Sequence, residues 1–183
     1  GSIVTDSVFG SKAQKGIVSS PWGSVNRLIT SKISLNHTYF YSSYIKRGES
    51  ADSYLGRMMF YVDSVERGTI GRPTTANVWT RRSGKYTFSE SFTTIYFIIF
   101  LSSLQQVEEN QWAIIDGAML IDLTEMGYLP PSLQGKLLKD DGVTYAEKWE
   151  EVDKDILADI IPYVDGVETT QIQWVNNEAT NHT

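Results

Sequence analysis

The chain has 183 residues, 41% of them apolar and 21% charged, with no cysteine and two histidines. That suffices for one domain with a real core and is too apolar for a disordered protein. The missing cysteines exclude a disulfide framework, a thiolate zinc site and a catalytic thiol, and the net charge of −6 is uneven: residues 1–102 hold 12 Lys+Arg against 6 Asp+Glu, residues 103–183 hold 4 against 16.

The chain opens on Gly1-Ser2 in place of a methionine, which reads as the remnant of a cleaved tag on an excised domain. A β body is expected over residues 3–126, where Thr, Ser, β-branched and aromatic residues cluster in short runs. Val25–Ile33 alternates imperfectly. Ser34–Ile45 places Tyr39 and Tyr41 on one face and Phe40 on the other. Leu55–Val65 reads as one strand, with Met58, Phe60 and Val62 on one face and Met59, Tyr61 and Asp63 on the other. Ser83-Gly84, between Asn77–Arg82 and Lys85–Ser89, fits a two-residue hairpin turn. Thr93–Leu101 is apolar on both faces, as in a central strand covered on both sides or one buried in a subunit interface. Asp116-Gly117, between Trp112–Ile115 and Ala118–Leu123, is a strong hairpin signal.

Residues 127–162 change texture to a loop plus an acidic helix. The helix is expected over Tyr145–Ile161. Thr144 and Glu147 would form its capping box, Trp149, Val152, Ile156 and Ile160 its apolar stripe, and Pro162 its stop. Residues 163–175 hold a turn at Asp165-Gly166 and a final alternating strand, Val167–Val175; residues 176–183 read as a tail. The whole is a single, mainly β domain: an antiparallel β-barrel or sandwich with one amphipathic helix near the C-terminus.

Chemistry is sparse. A Ser-His-Asp site would need His37, which sits in a predicted strand with no G-x-S-x-G elbow anywhere. Paired carboxylates near the strands would have to come from Glu108, Glu109, Asp116 and Asp122, and Asp116 is explained by its turn. Asp140-Asp141-Gly142 is a fragment of a calcium loop, and Asp153 with Asp155 lies on a predicted helix that cannot wrap an ion. No phosphate-cradling glycine motif occurs. We therefore expect no enzyme, no metal and no cofactor. The pI of about 4.9 argues against nucleic acid. No apolar run reaches the roughly 18 residues needed to cross a bilayer. Arg81-Arg82 beside Trp79 is either an ordinary solvated turn or a basic tip able to bind an anionic glycan. Aromatic residues are the remaining resource, with 10 Tyr, 5 Trp and 7 Phe. Candidate ligand-binding residues are Tyr39, Tyr41, Trp79, Arg81, Arg82 and Tyr86. Candidate dimer-interface residues are Ile95, Phe97 and Ile99.

An excised, cysteine-free, aromatic-rich β domain with an acidic stretch at Asp140–Glu168 resembles the projecting spike of an astrovirus-type capsid protein. The resemblance is of size, class and charge layout and carries no diagnostic motif. It implies a homodimer on the virion surface that binds a host-cell receptor and carries epitopes for neutralising antibodies. The alternative is a carbohydrate-binding or lectin-like module of a larger protein.

Overall fold

The computed structural model describes residues 2–9, 12–17, 23–101, 111–162 and 172–173. Two antiparallel sheets pack face to face as a sandwich. The elements are β1 (Ser2–Val4), β2 (Ala13–Ile17), β3 (Ser24–Leu28), β4 (Thr38–Arg47), β5 (Met58–Val62), β6 (Val65–Ile70), β7 (Thr80–Thr87), β8 (Ile95–Phe100), β9 (Trp112–Asp122), α1 (Leu123–Met126), α2 (Lys154–Ile160) and β10 (Ile172–Gln173). One sheet runs β1-β2-β9-β4-β7, with β10 against the end of β9; the other runs β3-β8-β5-β6.

Alternation decides what fills the space between the sheets. From β4 come Tyr39, Tyr41 and Ile45; from β5, Met58 and Phe60; from β8, Ile95, Phe97 and Ile99. Phe60 is the hub, with ring centroids 4.5 Å from Tyr41, 5.0 Å from Phe88 and 5.7 Å from Phe97. The opposite face of β4 and β9 is also dry. Phe40, Met119 and Ile121 lie under a third layer, residues 123–161, through Leu129, Val152 and Leu157. This is why β4 is buried along nearly its whole length.

Three local expectations are corrected. Asp116-Gly117 makes no hairpin: both residues sit inside the 11-residue strand β9. Tyr44 pairs with Asp116 and Ser42 with Met119, so Gly117 and Ala118 oppose the single residue Ser43. The positive φ of Gly117, 57°, is absorbed as a β-bulge. Ser83-Gly84 likewise lies mid-strand, paired with Ser42 and Tyr41. The hairpin instead falls at Asp63-Ser64, between β5 and β6, inside the stretch read as one strand. Both turn residues have positive φ, 45° and 70°, as a two-residue turn of this hand requires. The Asp63 carboxylate accepts from the Thr93 and Thr94 amides.

The third correction concerns the helix. Thr144 does not cap it; its hydroxyl is taken by Asp141. Tyr145 and Val152 are held in isolated bridges with Leu138 and Lys139, which keep this stretch extended. A single 3-10 turn covers Trp149–Glu151, and α2 begins only where Asp153 accepts from the Asp155 and Ile156 amides. Of the expected final strand, Ile172–Gln173 is described; the Asp165-Gly166 turn and the tail from Asn176 lie outside the described residues, as do Glu108 and Glu109. Among the described residues no helix is long and apolar enough to cross a membrane.

Candidate functional site

The two faces of β8 have different fates. Ile95, Phe97 and Ile99 point into the inter-sheet core at 0%, 4% and 2% exposure. They cannot form a dimer interface without dismantling the sandwich, which corrects that expectation. Tyr96, Ile98 and Phe100 point outward, where nearby groups of β5 and β6 complete a surface of mixed character.

That surface follows from register. Tyr61 on β5 lies opposite Tyr96 on β8 on one side and Glu66 on β6 on the other. Ser24 on β3 lies opposite Phe100. Met59, fully buried, with Ile98 and Phe100, forms the floor; Tyr54, Tyr61 and Tyr96, each half-buried, rise from it. Tyr54 meets Phe100 edge-on at 5.6 Å and carries the Arg57 guanidinium 4.6 Å above its ring centroid. Arg57 Nη2 donates to Glu66 Oε2 at 3.3 Å. The result is an open depression of about 370 Å³ lined by Ser24, Tyr61, Glu66, Ile98 and Phe100.

Its chemistry suits a ligand that is apolar on its faces and hydroxylated at its edges. Phenol rings offer rigid flat area with a polar rim at small entropic cost. Arg57 and Glu66 supply donors and acceptors side by side, and their charges cancel. Glu66 is the one carboxylate among the described lining residues, whereas glycoside hydrolysis uses two. Among the described residues no three His, Asp or Glu side chains gather as a metal site.

The ligand-binding candidates read from the sequence are dispersed. Tyr39 and Tyr41 are core residues at 1% and 0% exposure, not a recognition surface. Burial pushes the Tyr39 phenol up to about 12 and raises that of Tyr41 as well. The Tyr39 oxygen accepts from the Ser34 amide, and the Tyr41 hydroxyl donates to the Gly68 carbonyl. Tyr86 packs edge-on against Phe88 at 4.9 Å, at the rim of the same core. Trp79 Nε1 donates to Asp6, tying the N-terminal segment to the sheet. Arg81 and Arg82 lie along β7, not at a turn tip. His37 Nδ1 lies 2.7 Å from Asp122 Oδ2, and Asp122 also accepts from the Glu125 amide, so the pair joins the start of β4 to α1. The residues that sequence reasoning missed, Tyr54, Arg57, Glu66 and Tyr96, carry no motif. The usable signal was the outward row of β8, aromatic and aliphatic where a solvated face would be polar.

No protein-family model and no curated protein matches the chain. Solved structures similar to it include the following three. The CBM22-1 xylan-binding domain of Paenibacillus barcinonensis Xyn10C is 12% identical at a TM-score of 0.46, over 64% of this chain and 77% of that one. The CBM22-1–GH10 modules of Clostridium thermocellum Xyn10B, complexed with xylohexaose, are 17% identical at 0.47, over 75% of this chain and 26% of that one. A family 16 carbohydrate-binding module is 15% identical at 0.43, over 66% and 84%. Likenesses this distant bear on neither function nor residue roles.

Proposed function

We propose that the chain is a carbohydrate-binding β-sandwich module, acting by attachment and not by catalysis. One observation carries this reading: the outer face of β3-β8-β5-β6 has an open depression lined by Ser24, Tyr61, Glu66, Ile98 and Phe100, with half-buried Tyr54 and Tyr96 packed on the same apolar cluster and Arg57 paired to Glu66. Rings stack on the C–H faces of a sugar while the pair and Ser24 take its hydroxyls. Preformed sites of this kind are largely apolar with few placed polar groups. Because the pair is neutral as a unit, the expected ligand is a neutral saccharide. The spike-type resemblance implies attachment to a host-cell receptor, protein or glycan, and this face would serve it only if that receptor is a glycan.

The test is an array of neutral and acidic oligosaccharides followed by calorimetry on the best ligand. Tyr61→Ala should lose about tenfold or more in affinity, since an aromatic contact of this kind is worth roughly 1–3 kcal/mol. Its melting temperature should stay close to that of the parent, because Tyr61 is only half-buried. Binding that Tyr61→Ala leaves unchanged would sink the assignment of this face.

A further inference from the structure

A second cleft lies at the lateral edge of the sandwich, where β6 of one sheet, β7 of the other and α2 of the third layer meet. Its volume is about 440 Å³, and its lining includes Arg81, Arg82, Ser83, Lys154, Asp155 and Asp159. Three cations from two elements therefore line one open space, with Ser83 beside them. Among the described residues neither arginine has a carboxylate within ion-pair distance.

The two arginines are fixed in different ways. Arg81 spends its fork on the fold: Nη1 donates to the Ala158 carbonyl at 2.7 Å, and Nη2 and Nε to Ser42 Oγ at 3.2 and 3.4 Å. Its guanidinium also sits 5.8 Å from the Phe40 ring centroid. It supplies a fixed, half-buried positive charge. Among the described residues Arg82 uses only Nε, on the Gly71 carbonyl at 3.0 Å, which aims the fork and leaves its two terminal amino groups for a ligand. Lys154 is held by Asp155 at 2.6 Å, an exposed pair that costs little to open. Three cations against two carboxylates leave one positive charge, which suits a single oxyanion and not a polyanion.

We propose that this cleft is an oxyanion subsite, taking the carboxylate or sulfate ester of an acidic sugar residue on the Arg82 fork, Ser83 and Lys154. Arg82 would bind it in the bidentate manner of guanidinium with a planar or tetrahedral oxyanion. The proposal needs the carbohydrate reading only for the saccharide that carries the anion, and it concerns a different face.

The experiment is an NMR titration of the full chain at low ionic strength, where screening is weak, with glucuronate, glucose 6-sulfate and glucose as probes. One or both acidic sugars should shift the Arg82 Nε–H and Ser83 amide signals, saturably, and glucose should not; which one does so distinguishes carboxylate from sulfate. The Arg82→Gln, Lys154→Gln double variant should weaken binding about tenfold or more, as expected for losing charge-assisted hydrogen bonds. A control with the same charge change on exposed lysines elsewhere, Lys12→Gln, Lys136→Gln, should change it less than about threefold. Equal losses in variant and control, or no movement of Arg82 and Ser83 with either acidic sugar, would overturn the proposal. So would loss of acidic-sugar binding in Tyr61→Ala, which would place the anion on the tyrosine face. Should the array find no neutral ligand while Arg82 and Ser83 still respond, the oxyanion subsite stands and the carbohydrate reading of the sheet face falls.

Discussion

At Gly84 a side chain has nowhere to go. A Cβ there would lie 2.6 Å from Tyr41 Cζ and from Ile70 Cδ1, where the two sheet edges close on each other. Gly84→Ala should therefore destabilise by about 1–3 kcal/mol through overpacking, visible as a lower denaturant midpoint at unchanged slope. Arg47 poses the opposite case, a cation buried to 4% exposure that meets carbonyls in place of carboxylates. Nε donates to Pro73, Nη1 to Gly48 and Nη2 to Thr74. Burial and the neighbouring Arg72 both lower its proton affinity, yet its donors hold together the loops beyond β4 and before β7. Arg47→Ala should cost about 3 kcal/mol or more by stranding those acceptors, measured by urea unfolding; a loss within error would mean water replaces the guanidinium. Neither residue was legible beforehand. Gly84 looked like turn chemistry and nothing in the sequence singled out Arg47, because what crosses from another strand leaves no mark on the chain's local pattern.

Among the elements, α2 depends on one cap. Asp153→Ala removes an acceptor shared by two first-turn amides and should cost about 1 kcal/mol, read as faster amide exchange across Lys154–Ile160. The turn before it is pH-sensitive. The Thr144 hydroxyl, then the Val143 and Thr144 amides, pull the Asp141 carboxyl down to about 2 from 3.8. A depressed carboxyl contributes its stabilisation fully above the unfolded value and loses it as pH falls through the folded one. The 140–144 turn should thus hold at pH 4 and loosen toward pH 2. Amide shifts of Val143 and Thr144 with a midpoint near 4 would contradict this. At this scale the sequence period was a good guide to the faces of β4, β5 and β8 and a poor guide to punctuation, which split β7 in two and ran β5 into β6. Asp-Gly and Ser-Gly signal positive φ or a missing side chain, and both needs arise inside a strand as readily as between two.

Across the whole molecule, residues 123–161 lie as a layer on the sheet that holds β4, β7 and β9. Their contact is made as much by carbonyls as by opposite charge: Lys85 Nζ donates to Val152 O at 2.7 Å and pairs with Asp140 at 2.8 Å, and Arg81 holds Ala158. Lys85→Met should raise amide exchange across residues 137–157 while leaving β5 and β8 protected, at a cost of about 1–2 kcal/mol. Equal exchange in both regions would mean the layers open as one unit. The class of fold and the strand-rich front were determined by the sequence alone, because alternation is a local property of the chain; the helical stripe over Trp149–Ile160 was not, since α2 starts only at Lys154 and buries Leu157 while Ile160 is exposed. Which face of each strand is inside, that β8 hides Phe97 and shows Tyr96, and that Tyr54, Arg57, Tyr61 and Glu66 gather on one surface were decided only by tertiary structure. The reason is physical: alternation assigns residues to two faces, but only the packing of one sheet on the other, and of a third layer on just one of them, chooses which face stays open to a ligand.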